Sequence, residues 1–368
     1  MMWGRLRAII VKEIWAILRD PRARLILVVP PLIQLFVLGF ASTLEVKNID
    51  VGVYNRDDGA WSREFVQRLA GSPNIRRIVR IDHPAALREA IDDQRVIAAV
   101  VLDQRFSADV AARRPAVIQA IFDGRRSNAA QIVSGYLDRI AGELGAEIAP
   151  QAARPRSQSA VVHWFNPNLD YLWFTMPALV VIISTLAGLG VTALSVARER
   201  ELGTFDQLMV SPLRVQEILV GKMVPPILVG LFNGSLYLLL IPTVFGVPLT
   251  GSIPLFYLAL FFYLLALVGI GMFVSSLAKT QQQAFLGAFL VTVPATLLSG
   301  YATPVDNMPA WLQVLAEANP PKHFLIVSEG VFLKAMPAAE VAANTWPLAV
   351  IALCTLTASA LLFRARME

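Results

Sequence analysis

Apolar residues fall along this chain in several rhythms, and the changes of rhythm divide it. Over residues 1–20, Trp3, Leu6, Ile10, Ile14 and Ile17 recur at three- and four-residue spacing, while Arg5, Lys12 and Arg19 lie on another face. That rhythm predicts an amphipathic helix within residues 1–24, of the kind that lies in a membrane headgroup layer. Pro21 breaks it, and residues 25–44 read as a first membrane span. Gly39-Phe40-Ala41 has the small-x-small form of a signal cleavage site. The leading segment is too long for a signal and carries Glu13 and Asp20, so the span is expected to stay uncleaved.

Residues 45–165 change character. Short β-like runs at 51–54, 75–81, 97–102 and 117–122 alternate with helical patterns at 62–70, 84–94, 106–112 and 127–146. This alternation predicts a compact α/β domain. Its charges nearly balance, with 17 Lys and Arg against 15 Asp and Glu, and Asp57-Asp58 and Asp92-Asp93 read as solvated. Residues 150–159 read as a polar linker.

Long apolar runs then return within residues 166–368, at about 171–196, 218–245, 253–277, 284–301 and 345–363. With the first span they make about six. Trp164, Phe165, Tyr171 and Trp173 are aromatics of the type enriched at a membrane interface. Positive charge sets the orientation. Residues 1–24 hold six Lys and Arg and residues 197–222 hold four, whereas the loop 246–252 has none. Both termini and the loop around 197–217 are therefore expected in the cytoplasm, with the α/β domain outside. The fold class is a polytopic α-helical membrane protein with an extracytoplasmic α/β domain inserted between its first two membrane helices.

Composition agrees with that class: 56% of the 368 residues are hydrophobic and only 16% are charged, where soluble domains hold about a quarter. The net charge of +5 is spread out and comes with no nucleic-acid-binding module, so it reads as membrane topology. The single Cys354 excludes an intramolecular disulfide and a cysteine metal cluster, and His83, His163 and His323 stand far apart. No catalytic or metal-ligating set is expected. Residues 223–278 and 280–305 contain no Asp, Glu, Lys or Arg, whereas ion-coupled carriers place such groups inside their spans. Gln34 and Asn233 stand as isolated polar groups, and Gly221-Lys222 lacks the upstream glycine of a phosphate loop. A transporter built this way needs an energising partner.

The charged stretch 198–222 is the place for one. Gly203 suits the left-handed cap of the helix arriving before it. Thr204 and Gln207 form a capping box for a short helix over 205–210, and Ser211-Pro212 starts the next. A plain solvated connector is the alternative that this spacing leaves open.

The same stretch resembles the cytoplasmic loop of type-2 ABC exporter permeases, at Glu199, Glu201, Gly203, Thr204, Asp206, Leu208, Met209, Pro212, Gly221 and Lys222. It departs from that pattern at Leu202, where relatives more often carry a basic residue, and at Asp206, where they carry Glu. Residues 302–336, with Tyr301-Ala302-Thr303-Pro304 and Asn319-Pro320, resemble the family's outer loop of short re-entrant helices, with Glu329 where many relatives have Arg. Residues 121–139 resemble the inserted domain of its drug-exporter-type members.

The resemblance implies a permease subunit in the inner membrane of a bacterium, without an ATP site of its own. A separate cytoplasmic ATPase would bind ATP and Mg and dock at Glu199, Glu201, Gly203, Thr204, Phe205, Asp206, Leu208, Met209 and Pro212. It also implies a second permease subunit, identical or not, contact with membrane lipid, and room for a periplasmic adaptor. Gly230-x-x-x-Gly234 allows close helix packing, within the chain or at a dimer seam. A hydrophobic, drug-like cargo is the first reading and a lipid or glycan the second. A sensor or assembly protein is a different class, but it would not need five further uncharged spans.

Overall fold

The computed structural model describes residues 2–19, 21–41, 49–72, 75–122, 127–148, 165–166, 170–201, 203 and 215–365. The chain forms two compact units, residues 43–162 and the two flanking stretches 1–42 and 163–368 together.

In the unit 43–162, β1 (Ile49–Asn55) is followed by α3 (Ala60–Ala70), β2 (Ile75–Arg80), α4 (Pro84–Asp92), β3 (Ala98–Leu102), α5 (Phe106–Ala111), β4 (Ile118–Phe122) and α6 (Ser127–Ile148). The sheet order is β2-β1-β3-β4, with β1 parallel to β2 and β3, and β3 antiparallel to β4. All four strand expectations fall within two residues of these bounds. Alternation along β1 and β3 sorts the side chains between the two faces. Ile49, Val51, Val53, Val100 and Leu102 pack with Phe65, Leu69 and Phe106 on one face. Ala99 lies with Ile81, Leu87 and Val96 on the other. Gly52 keeps that second face close, since a Cβ there would come within 2.6 Å of Ile81.

Two aspartates are structural here. Asp50, 8% exposed, takes a bidentate pair from Arg76 at 2.5 and 3.0 Å and a further bond from Arg77 at 3.2 Å. Asp57 corrects the expectation that it is solvated: it is buried, whereas its neighbour Asp58 is exposed. The Asp57 carboxylate accepts from the Ser107 hydroxyl and amide, and its carbonyl accepts from Ser62 Oγ at 2.9 Å. Sequence pattern missed this because the partners stand 5 and 50 residues away.

The other unit is helical: α1 (Met2–Arg19), α2 (Pro21–Ala41), α7 (Tyr171–Glu201), α8 (Val215–Val244), α9 (Ile253–Leu277), α10 (Gln281–Leu297), α11 (Ala310–Glu317), α12 (Pro320–Leu333) and α13 (Ala338–Ala365). Four of these, α7, α8, α9 and α13, are long and apolar enough to cross a membrane. The first and fifth expected spans correspond to α2, whose shorter apolar part is Leu27–Ala41, and to the 17-residue α10. Large apolar side chains such as Ile33, Phe40, Phe285, Leu290 and Leu353 are exposed, as suits a bilayer-embedded polytopic protein. Within the expected re-entrant stretch 302–336 lie a 3-10 turn (Val305–Asn307), α11 and α12.

Helix α7 is the hub, packing on α2, α8, α9, α10 and α12. Small residues and hydroxyls set the contacts, since lipid tails offer no hydrophobic drive between helices. A Cβ at Gly230 or Gly234 would come within 2.6 or 2.4 Å of Leu264 or Leu260, so α8 lies close on α9 within one chain. Tyr263 shares a hydrogen bond with Thr185, donates to the Val181 carbonyl at 3.1 Å and stacks on Phe324. Ser328 Oγ donates to the Pro177 carbonyl at 2.8 Å. At the far end of α8, Gly251 N bonds to Val331 O at 2.8 Å and Thr250 N to Phe332 O at 3.2 Å, which ties the α8–α9 turn to α12.

The two aspartates make the α/β unit acid-sensitive. The Arg76 guanidinium holds the Asp50 carboxyl below its ordinary value, against the opposing effect of burial. At Asp57 burial pushes upward, but the bonds from Ser107 and Ser62 outweigh it and the net direction is down. A depressed carboxylate contributes stability that is complete above the unfolded value of about 4 and is lost as pH falls through the folded one. Hydrogen exchange on the full chain, corrected for intrinsic rates, should show β1–β3 losing protection as pH drops below about 4. Asp50→Asn should lose part of that protection already at neutral pH and respond less to acid.

Candidate functional site

The last turn of α7 carries four consecutive charged residues, of which Arg198 is exposed and Glu199, Arg200 and Glu201 reach neighbouring helices. Successive helical positions point about 100° apart, so each of these three meets a different neighbour. Glu199 Oε1 lies 2.6 Å from Lys222 Nζ on α8, with side-chain exposures of 16% and 4%. Arg200 donates to the carbonyls of Ser276 and Ala278 at 2.9 and 3.2 Å, where the end of α9 leaves acceptors unsatisfied. Glu201 Oε2 accepts from the Gln281 amide at 2.8 Å, at the N-terminus of α10. Thr280 caps that helix by accepting from the Gln283 amide. Ser275 Oγ also accepts from the Ala197 amide, which holds α7 against α9 one turn earlier.

Just beyond, Gly203 has φ +71°, a left-handed conformation that suits the end of α7 and that side chains resist. On the next helix a Cβ at Gly221 would come within 2.2 Å of Ile9, so α1 lies directly on α8 beside Lys222.

Of the residues expected to couple to an ATPase, Glu199, Glu201 and Gly203 belong to this cluster. Thr204, Phe205, Asp206, Leu208, Met209 and Pro212 lie outside the described residues. Gly230 and Gly234 sit farther along α8, apart from the cluster. The sequence reading did not foresee the roles of Lys222 and Arg200. The available signal was opposite charge on two apolar helices flanking one short loop.

The chemistry of the site is electrostatic positioning. The Lys222 ammonium, which a phosphate loop would direct at nucleotide, is buried on Glu199 instead. Among the described residues no three His, Cys, Asp or Glu gather to hold a metal ion. Removing one partner of a buried ion pair leaves the other uncompensated, which costs about 3–5 kcal/mol. Glu199→Leu or Lys222→Met alone should therefore lower the thermal unfolding temperature of the purified protein sharply. The double variant should recover most of the loss, and nucleotide binding by the chain's complexes should be indifferent to Lys222→Met.

Comparison with known proteins agrees with this architecture. Residues 24–361 match the ABC-2 family transporter protein family. The chain is 41% identical over 367 residues, the whole of both chains, to the probable multidrug ABC transporter permease YbhR of Escherichia coli. It is 31% identical over 371 residues to the probable multidrug ABC transporter permease YbhS of the same organism, covering 99% of this chain and 95% of that one. The inner membrane transport permease YhhJ of Escherichia coli is 33% identical over 251 residues, 66% of each chain. With the family match spanning nearly the whole chain, this protein belongs to the ABC-2 family of transporter permeases.

Proposed function

We propose that this permease exports hydrophobic or amphipathic, drug-like compounds from the cytoplasm or the inner membrane of a bacterium, driven through the charged end of α7. As an ABC-2 permease it has no ATP site of its own, and a separate ATPase subunit binds and hydrolyses ATP. The multidrug names of the relatives support the cargo class, and a lipid or glycan is the second reading.

In this reading α2, α7, α8, α9, α10 and α13 are six spans. Both termini face the cytoplasm, α1 lies in the inner headgroup layer and the α/β unit is outside. Two permease subunits pair, and a periplasmic adaptor has room to join them. The ATPase docks on 197–217, with Leu208 and Met209 as apolar anchors and Glu199, Glu201 and Gly203 setting the loop's exit. The observation that carries this is the α7 cluster: motion at the loop's root reaches α8, α9 and α10 together through Glu199, Arg200 and Glu201.

Two experiments test the reading. Topology is read by cysteine labelling in a Cys354→Ala background, with Asp58→Cys as the outer reporter because Asp58 is exposed. Impermeant reagent should modify that position in intact cells and leave Arg214→Cys untouched; the opposite pattern would sink the orientation. Coupling is read by ATPase pull-down beside substrate efflux. Leu208→Asp and Gly203→Val should abolish efflux while the permease still inserts, and Thr204→Ala, a cap loss of about 1 kcal/mol, should act partially. Full ATPase binding and full efflux in Leu208→Asp would reduce the loop to a connector.

A further inference from the structure

The helical unit has a half-open cavity of about 290 Å³, lined mainly by α2, α7 and α8. Its walls are mostly apolar, with Leu27, Pro31 and Leu264 among them. Four polar side chains interrupt them: Gln34, Ser184, Asn233 and Tyr237. No Asp, Glu, Lys or Arg lines it.

The polar groups are arranged by a proline. Pro31 has no N–H, so the Leu27 carbonyl one turn earlier loses its helical donor. Asn233 Nδ2 supplies the replacement from α8 at 3.2 Å. That bond fixes the direction of the amide and turns Oδ1 away from it. Asn233 is 3% exposed, and Oδ1 has no protein partner. One helical turn on, Tyr237 is fully buried and its hydroxyl also lacks a partner. Both residues line the cavity, and positions four apart share a face of α8. Buried polar groups without partners are uncommon, and an apolar pocket with a few convergent polar groups is the usual form of a small-molecule site.

We propose that this cavity binds a neutral amphipathic molecule with an apolar body and one hydrogen-bond donor, a hydroxyl or an N–H. Asn233 Oδ1 accepts that donor and the Tyr237 hydroxyl makes the second polar contact. A cation is disfavoured because the cavity holds no countercharge and an unpaired buried charge is costly. An acyl chain fills the apolar walls but satisfies neither polar group. In taking the occupant as cargo, the proposal rests on the export reading above.

The test uses radiolabelled 1-naphthol, a neutral aromatic compound whose single hydroxyl can donate to Asn233 and accept from Tyr237. Binding is measured on the full permease–ATPase complex in nanodiscs, with empty nanodiscs subtracted. Saturable binding is expected. O-methylation of the probe, Tyr237→Phe and Asn233→Leu should each weaken it about three- to ten-fold, the worth of one hydrogen bond. Tetraphenylphosphonium should not displace the probe. Asn233→Leu also strips the Leu27 carbonyl of its donor, so Tyr237→Phe, which keeps the ring in place, is the decisive variant. Absence of saturable binding, or equal binding by Tyr237→Phe and by the methylated probe, would overturn the proposal. Efflux from proteoliposomes is scored separately. ATP-driven efflux of the probe with unchanged binding in both variants removes this site and leaves export standing. Donor-dependent binding without efflux keeps the site and counts against the export reading.

Discussion

With its side chain 4% exposed and its ammonium 2.6 Å from the Glu199 carboxylate, Lys222 is held in place by the cost of separating a buried ion pair. Replacing such a pair by apolar residues is often neutral, while separating it is strongly unfavourable. Its value here is therefore in geometry more than in net stability. The pair holds the end of α7 and the start of α8 together across the segment 204–214. Arg200 and Glu201 extend the same constraint to the adjacent ends of α9 and α10. Glu199, Arg200 and Glu201 thus tie α8, α9 and α10 to the end of α7.

Elsewhere in the helical unit, position is set by the need to satisfy backbone groups that water does not reach. Pro31 frees one carbonyl in α2, and a neighbouring helix supplies the donor. Asn233 does this for Leu27. Asn319 Nδ2 donates to the Ala295 carbonyl at 2.7 Å near the end of α10. Tyr263 and Ser328 reach the carbonyls of Val181 and Pro177 on α7. Because each donor matches one carbonyl, these bonds fix the axial register of helices whose apolar faces would otherwise slide. Gly230 and Gly234 add the closeness that brings α8 within reach.

Much of this was legible in the sequence, for a physical reason in each case. The strands of the α/β unit announce themselves by alternation and turn residues, and the membrane helices by length and lack of charge. Gly203 was legible because few residues tolerate its backbone conformation, and φ +71° is what stands there. What escaped was pairing over distance. Nothing local in Asp57 says that Ser107 will cover it, and nothing in Glu199 says that Lys222 faces it. Asn233 read as isolated because its partner is a backbone carbonyl 206 positions earlier. A string of side chains carries no mark of which carbonyl a proline has freed on a neighbouring helix.

The length of α7 gives the cluster at its end a mechanical meaning. From Ala178, just past Pro177, to Glu201 the helix is uninterrupted by proline, and at 1.5 Å per residue that is a rod of about 36 Å. Pivoting such a rod by about 5° swings its tip through about 3 Å, the width of a hydrogen bond. Ser184 and Gly188, which line the cavity beside Asn233, lie part-way along the same rod. A swing of α7 against α2, with the Glu199–Lys222 pair kept, would shift that part of the cavity wall by a fraction of the travel at the tip. Measured from Pro177, the cavity lining at Ser184 and Gly188 lies on a shorter arm than the charged tip and on the same side of the pivot.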